Sequence, residues 1–228
     1  MDHHAGFTTE VSARDERALM AAAELVVVSS AALEQEARKH ARNVLLLRNG
    51  CDYEHFASTP EAGGPRPVIG YYGAISDWFD VELVAALATR RPDWEFLLIG
   101  ATYGAAVQPL TSLPNVTMPG ERPYAELPSW LGVMNVAIIP FRRTSLTEAT
   151  NPVKVYEMLA AGRPVVSVAI PEVAALAPLV RLASDAATFE REIEAALGDD
   201  GAAAAERRAF ATEQSWEHRF AVLEAAVR

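Results

Sequence analysis

Short apolar runs alternate with helical segments through most of this 228-residue chain, and that alternation restricts the fold more than any other feature. Uninterrupted apolar runs of this length are typical of strands that are buried on both faces. Strands that are joined through helices favour a parallel sheet with helices on both sides. We therefore predict a doubly wound α/β fold with strands at residues 68–72, 94–99, 116–118, 136–140 and 165–168.

The same alternation is present nearer the N-terminus, ahead of a segment of different composition. Helices are predicted at 13–23 and 30–40, and strands at 24–29 and 44–47. Residues 59–67 hold three prolines and two glycines with little apolar content, which indicates a linker. The predicted organisation is a first unit at 1–58, the linker at 59–67, a Rossmann-like unit at 68–205 and a C-terminal helical segment at 206–228 that is interrupted near Ser215-Trp216.

The segment 150–166 predicts a short, capped helix between two strands. Asn151 suits the N-cap, and Pro152 suits the first helical position, where a missing N–H costs nothing. Gly162 suits the left-handed position after the helix. The helix is apolar nearly all round, but Lys154 and Glu157 share one face with spacing i, i+3. A polar stripe beside a helix N-terminus indicates the wall of a phosphate-binding cleft, whereas the alternative is an ordinary surface ion pair.

Three loops follow predicted strands at their carboxyl ends, where open parallel sheets bind ligands. They span residues 73–76, 100–103 and 141–151. The first contains Gly73, which allows a close backbone approach to a ligand. The third is long and polar and leads directly into the capped helix. Long polar loops on a rigid scaffold favour a functional role, although a solvated loop remains the alternative for Arg142 and Arg143.

Composition excludes several classes of function. The formal net charge of −10 argues against a nucleic-acid partner, because a phosphate backbone requires a basic surface. A small phosphate ligand on one or two local cations is still compatible with that charge. The single cysteine, Cys51, excludes an internal disulfide and has no local motif of a nucleophile. His3 and His4 lack further spaced ligands, so no metal site is expected.

No apolar run in the sequence is long enough to cross a bilayer, and the N-terminus has no secretory apolar segment. We therefore expect a cytoplasmic protein. Association with the inner face of a membrane stays open.

The segment 152–166, PVKVYEMLAAGRPVV, resembles the donor-site segment of GT-B glycosyltransferases, family 4 in particular. Further segments resemble the same family. Residues 49–56, NGCDYEHF, are similar to the turn that closes the first GT-B domain. Residues 70–80 are similar to a subgroup found in cell-surface polysaccharide clusters, and Ser215-Trp216-Glu217 resembles the tail helix that returns to the first domain. Together these segments cover most of the chain.

The resemblance implies a retaining hexosyltransferase that takes a sugar from a UDP- or GDP-sugar, with no cofactor and no metal. It implies Glu157 as the ribose ligand, because a carboxylate accepts two hydroxyl hydrogen bonds. It implies a base site at Gly120-Glu121-Arg122. The implied diphosphate ligands are the Lys154 cation and groups of two turns, the glycine-rich turn after the first strand of the donor domain and the turn that caps the helix. The residues are Gly73, Ala74, Thr150, Asn151, Pro152 and Lys154. No catalytic residue is assigned.

The chain departs from the family pattern in two places. The family often carries two cations after the first strand of the donor domain, whereas this chain has Ser76-Asp77-Trp78. We expect Arg142, Arg143 or Lys154 to carry that charge instead. The family also places an acid eight residues before the helical glutamate. That position is Ala149 here, so its neighbour Glu148 is the candidate sugar ligand.

The resemblance covers only the last part of the acceptor-binding domain, at residues 1–58. We expect the chain to represent mainly the donor half of an enzyme in cell-surface polysaccharide or glycoconjugate biosynthesis, inactive alone without the missing N-terminal domain. His3 or His4 would then lie near the donor sugar. The expected partners are the nucleotide-sugar and a glycan or lipid-linked acceptor. The alternatives are a non-catalytic nucleotide-sugar-binding module and, less favoured, a GT-B sugar-nucleotide epimerase.

Overall fold

The computed structural model describes residues 10–60 and 62–228, so the predictions on His3 and His4 lie outside the described residues. In its described residues the first unit contains a pair of parallel strands, as the apolar runs predicted. Its elements are α1 (Glu10–Ala22), β1 (Val26–Val28), α2 (Ala31–Ala37), β2 (Val44–Leu46) and α3 (Tyr53–Ala57).

The second unit is built from six parallel strands with intervening helices, which confirms the predicted α/β class. Its first half consists of β3 (Val68–Tyr72), α4 (Val81–Arg90), β4 (Glu95–Ile99), α5 (Gln108–Thr111), β5 (Val116–Gly120), a 3₁₀ turn (Tyr124–Glu126) and α6 (Leu127–Gly132). Its second half consists of β6 (Val136–Ile139), α7 (Ser145–Glu148), α8 (Val153–Ala160), β7 (Val165–Val168), α9 (Pro171–Ala174), β8 (Val180–Ala183) and α10 (Ala186–Leu197). Two helices complete the chain, α11 (Gly201–Thr212) and α12 (Trp216–Val227).

The strand order of the large sheet shows at which edge a ligand crevice can form. The order is β5-β4-β3-β6-β7-β8, so the chain moves outward from β3 in one direction and from β6 in the other. Successive connections therefore diverge between β3 and β6 and leave a crevice at the carboxyl ends of these two strands. Gly73 follows β3 and Phe141 follows β6, so the predicted loops meet at this crevice.

The helix after β3 begins several residues beyond the end of that strand. Asp80 is the N-cap of α4, and its side chain accepts from the Leu83 N–H. The Ser76 hydroxyl donates to the Tyr103 carbonyl at 2.8 Å. The residues between Gly73 and Asp80 thus form a loop that stays at the carboxyl edge.

Two glycines allow the loops after β3 and β4 to lie against each other. Gly100 has φ +148°, and a Cβ there would lie 2.0 Å from the Gly73 carbonyl oxygen. Gly73 has φ +127°, and a Cβ there would lie 2.7 Å from Cε of Lys154. Side chains are disfavoured at both positions by backbone conformation and by space. The backbone of Gly73 therefore lies directly beside the Lys154 side chain.

The C-terminal helices return to the first unit. The Cys51 N–H donates to the Gln214 carbonyl at 3.0 Å, and the Trp216 N–H donates to the Cys51 carbonyl at 3.1 Å. Ser215 caps α12, so the predicted interruption of the last helix near this residue is confirmed. The turn at Asn49–Cys51 is thus held against the tail.

In the part of the chain that the structure describes, every helix is too short or too polar to span a bilayer.

Candidate functional site

A cavity of about 620 Å³ opens at the crevice between β3 and β6. Its walls come from the loops after both strands, from the start of α8 and from the first unit. The lining includes Asn49, Trp78, Phe141, Thr150, Pro152 and Lys154. The sequence predicted Thr150, Asn151, Pro152 and Lys154 for a diphosphate site, and the structure brings these four residues together at one cavity.

The entrance to α8 differs from the prediction in one respect. Asn151 was expected to be the N-cap, with Pro152 in the first turn, but Pro152 is the N-cap and the helix begins at Val153. The Asn151 side chain is used elsewhere because it donates to the Tyr156 hydroxyl at 2.9 Å and accepts from the Asn49 N–H at 2.9 Å. The cap prediction was therefore wrong. Val153 and Lys154, the first two residues of α8, still line the cavity, and the first amides of a helix have no partner within the helix.

Lys154 lies in the first turn of α8 with its ammonium group over two aromatic rings. Nζ is 5.6 Å from the Tyr71 ring centroid and 5.4 Å from the Phe141 ring centroid. Among the side chains that the structure describes, at residues 13–60 and 62–228, no carboxylate lies within ion-pair distance of this nitrogen. Burial lowers the pKa of Lys154, and the charge of Glu157 opposes that effect. The alternative of an ordinary surface ion pair is therefore wrong for this residue.

Glu157 lies one turn further along the same face of α8 and is 6% exposed. Its Oε2 accepts from the Tyr72 hydroxyl at 2.7 Å. Burial raises the pKa of Glu157, whereas the Tyr72 hydrogen bond and the Lys154 charge act in the opposite direction. A desolvated carboxylate next to a cation-bearing crevice can accept hydrogen bonds from the hydroxyl groups of a ligand.

Two aromatic residues that the sequence did not single out lie beside Glu157. Tyr124 is 49% exposed, and its pKa is raised by burial and by the charge of Glu157. The His55 ring stacks on Tyr124 with centroids 4.8 Å apart, and His55 Nε2 lies 3.1 Å from the Tyr124 carbonyl oxygen. Tyr72, Tyr124 and His55 come from three separate elements, so no local pattern could have grouped them with Glu157.

Neither Glu157 nor the predicted residues Gly73, Ala74, Gly120 and Arg122 are among the residues that line the cavity. Gly120 ends β5, and its carbonyl accepts from the Gly100 N–H at 3.0 Å. Arg122 Nη2 donates to the Pro119 carbonyl at 3.0 Å, with the guanidinium over the Trp130 ring. The Ala74 carbonyl accepts from the Tyr71 hydroxyl at 3.0 Å.

The loop before α7 carries the two predicted arginines. Arg142 Nε lies 4.0 Å from Asp80 Oδ1. Arg143 pairs with Glu148 at 3.0 Å, and both side chains are exposed. The structure thus brings Arg143 and Glu148 to each other, whereas Lys154 is the predicted cation that lines the cavity.

Cys51 is fully buried, and burial raises the pKa of its thiol to about 12. The thiol is therefore protonated at neutral pH, which agrees with the low weight that the sequence gave to a cysteine nucleophile.

Comparison with known proteins identifies the family. A family model described as "Glycosyl transferases group 1" matches residues 66–199, which is more than half of the chain. The chain is also 31% identical over 179 residues to a protein of Bacillus subtilis strain 168 named "putative teichuronic acid biosynthesis glycosyltransferase TuaH". That match covers 72% of this chain and 45% of the relative, so the chain spans under half of the length of that relative.

Solved structures of glycosyltransferases share the fold. Sucrose-phosphate synthase from Thermosynechococcus elongatus has a TM-score of 0.75 at 20% identity, over 98% of this chain and 62% of that one. Anabaena Alr3699/HepE in complex with UDP and glucose has a TM-score of 0.75 at 18% identity, over 98% of this chain and 68% of that one. At these identities the likeness shows the fold alone, and it confirms the predicted GT-B architecture. On the evidence of the family match, the chain belongs to the glycosyl transferases group 1 family.

Proposed function

We propose that this chain holds the donor site of a retaining glycosyltransferase that uses a UDP- or GDP-sugar. The observation that carries the proposal is Lys154, a partly buried lysine whose ammonium group has aromatic rings below it and no carboxylate paired with it in the described part of the chain. A desolvated charge without a protein counter-ion is costly, which favours a site that an anionic ligand completes. The cavity beside it is of the size of a small-molecule site.

The proposed pose places the diphosphate between Lys154, the first-turn amides of α8 and the backbone of Gly73. Lys154 and the helix N-terminus would stabilise the negative charge that develops on the diphosphate when the bond from the sugar carbon to phosphate oxygen breaks. Glu157 would accept hydrogen bonds from the ribose hydroxyls on the other side of Lys154. The nucleobase would then lie toward Gly120, Arg122 and Tyr124. Retention of configuration rests on the family resemblance.

The acceptor would be a glycan or a lipid-linked glycan that an additional unit binds. The name of the Bacillus subtilis relative agrees with a role in polysaccharide biosynthesis. A second cavity of about 600 Å³ in the first unit offers a surface for that unit. It lies beside the two-stranded β1–β2 sheet, and Leu19 and Val27 there are 66% and 44% exposed. Parallel sheets are normally larger and covered on both faces, which supports an additional covering unit.

Calorimetric titration of the chain with UDP, GDP and UDP-glucose tests the proposal. We expect saturable binding of at least one of them with a stoichiometry of one. Inorganic pyrophosphate should bind more weakly because it lacks the ribose and base contacts. Absence of binding by every nucleotide, with the protein folded by circular dichroism, would refute the donor site.

Binding of UDP-glucose is expected to weaken at both ends of the pH range. At alkaline pH the affinity should fall as pH rises through the lowered pKa of Lys154, because the ammonium charge is lost. At acid pH it should fall as pH decreases through the raised pKa of Glu157, because the protonated carboxyl accepts fewer hydrogen bonds. The pH range of high affinity should therefore be narrower than the ordinary pKa values of glutamate and lysine would give.

Calorimetry in buffers of different ionisation enthalpy measures how many protons are taken up or released on binding. It therefore checks the assigned cause of the alkaline and the acid loss of affinity. Binding should take up protons on the alkaline limb, where the ligand restores the charge of Lys154, and release them on the acid limb, where it favours the Glu157 carboxylate. The esterified phosphates of UDP-glucose do not titrate in this range, but the uracil N3–H loses a proton at alkaline pH and has to be distinguished from Lys154. The Lys154→Met variant is the control: an alkaline limb that persists in that variant would belong to another group.

A further inference from the structure

A buried carboxylate outside the cavity, Glu172, joins the first unit to the entrance of α8. Glu172 is 3% exposed and lies in the first turn of α9. Its Oε1 accepts from the Ala31 N–H at 2.7 Å. Its Oε2 accepts from Arg48 Nε at 2.7 Å and from Asn151 Nδ2 at 3.3 Å. Ala31 and Arg48 belong to the first unit, so one carboxylate holds two of its segments together with the loop before α8.

Asn151 makes a second connection between the same parts of the molecule. Its Oδ1 accepts from the Asn49 N–H at 2.9 Å, and its carbonyl accepts from Asn49 Nδ2 at 2.6 Å. Its Nδ2 also donates to the Tyr156 hydroxyl at 2.9 Å. The side chain of Asn151 is therefore committed to protein partners on both of its polar atoms. Its contribution to a ligand site is to fix the backbone of residues 150–152.

We propose that Glu172 and Arg48 are positioning residues that hold Asn151, and with it the loop 150–152, in the shape that presents Lys154 and the first-turn amides of α8 to a diphosphate. The proposal rests on the proposed donor site. Neither Glu172 nor Arg48 lines the cavity, so each acts through Asn151. The same contacts make the loop conformation depend on the placement of the first unit. By reciprocity, a diphosphate on this loop stabilises the arrangement of the two units.

A buried ion pair with only a structural role would also lower stability when one partner is removed. The positioning role and the structural role differ in which part of the protein a substitution changes. A positioning role predicts a local change in the loop before α8, and equal effects of the two partners on ligand affinity. A structural role predicts a general loss of protection that follows the melting temperature.

Amide hydrogen exchange of the nucleotide-free protein tests the positioning of the loop. Arg48→Gln is the main variant because Arg48 is half-buried, so the fold should tolerate the change, and Glu172→Gln is the second. Both should exchange faster in residues 145–153 than the wild type does. Glu190→Gln is the matched control, since it removes a carboxylate that pairs with Arg90 away from the cavity. Unchanged exchange in residues 145–153 of the Arg48 variant, or an equal increase throughout the sheet, overturns the proposal.

Titration with UDP, or with GDP if only the guanine nucleotide binds, tests the consequence for the ligand. Each single variant should lose about tenfold in affinity, and the double variant should lose no more than the larger single loss, because the two residues act as one unit. Unchanged affinity, or losses that multiply in the double variant, contradict the proposal. If the wild type binds neither nucleotide while exchange still rises in 145–153, the donor-site proposal fails and the restraint on the loop stands.

Discussion

Replacement of Lys154 by methionine is expected to remove most of the affinity for a nucleoside diphosphate while leaving the free protein at least as stable as the wild type. The lysine is the cation that lines the cavity, and its ammonium group has no carboxylate paired with it in the described residues. Loss of one partner from a desolvated charge pair typically costs about 2–5 kcal/mol. The dissociation constant should therefore rise about 30-fold or more.

The expected stability of the Lys154→Met protein follows from the surroundings of the Lys154 ammonium group. The pKa of Lys154 is lowered, which means that desolvation of the ammonium outweighs its attraction to Glu157. The methionine side chain is one atom shorter and uncharged, and it can pack on the rings of Tyr71 and Phe141 without that cost. Affinity and stability should thus change in opposite directions, as is usual for residues that serve a ligand rather than the fold.

Calorimetric titration and thermal denaturation of the same preparations give both quantities. Lys39→Met is the matched control, because Lys39 is an exposed lysine that pairs with Glu36 on α2. The control should leave the affinity unchanged. A Lys154→Met protein that binds UDP as the wild type does, or that loses affinity only in step with its melting temperature, would show that Lys154 serves the fold.

The sheet could be predicted from the sequence because its signals are local. Every strand predicted after the linker is present, since an apolar run bounded by turn residues reports burial on both faces without knowledge of its neighbours. The strand β8 was missed because its short sequence contains Arg181 and lies at the edge of the sheet. Gly162 has φ +72°, as the left-handed position after α8 requires.

The candidate site was predictable only in part, because much of it depends on contacts between distant residues. The sequence placed Lys154 and Glu157 on one face of a helix, but it could not show which partners each would have. Asn151 suits a cap by residue type, yet its amide is taken by Asn49, a residue that is far away in the sequence. The same limit applies to Glu172, whose partner Arg48 lies 124 positions away.

Substitution of Glu157 by glutamine is expected to weaken the binding of UDP by about tenfold to a hundredfold, the range for loss of hydrogen bonds to a charged group. The Glu157 carboxylate already accepts from Tyr72 through one oxygen. Glutamine can keep that bond with its carbonyl oxygen. It then presents an amide donor where the ribose hydroxyls need an acceptor, so the variant removes the ligand contact and preserves the internal one.

A comparison of UDP with 2′,3′-dideoxy-UDP isolates that contact. In the wild type, the ratio of the affinities for UDP and for the dideoxy compound should equal the factor by which Glu157→Gln weakens the binding of UDP. The variant should bind both compounds with nearly equal affinity. A preference for UDP that persists in the variant would mean that another residue binds the ribose hydroxyls.

The thermal stability of Glu157→Gln separates a ligand role from a structural one. Burial raises the pKa of Glu157, so its ionisation at neutral pH opposes folding, and a neutral isostere should not lower the melting temperature. The stabilising effect of the substitution should disappear as pH falls through the raised pKa, where the wild-type carboxyl is itself neutral. Melting curves between about pH 4 and about pH 8 check this difference. A variant that is less stable than the wild type at neutral pH would indicate that the charge of Glu157 supports the fold, and the ribose assignment would then rest on the dideoxy comparison alone.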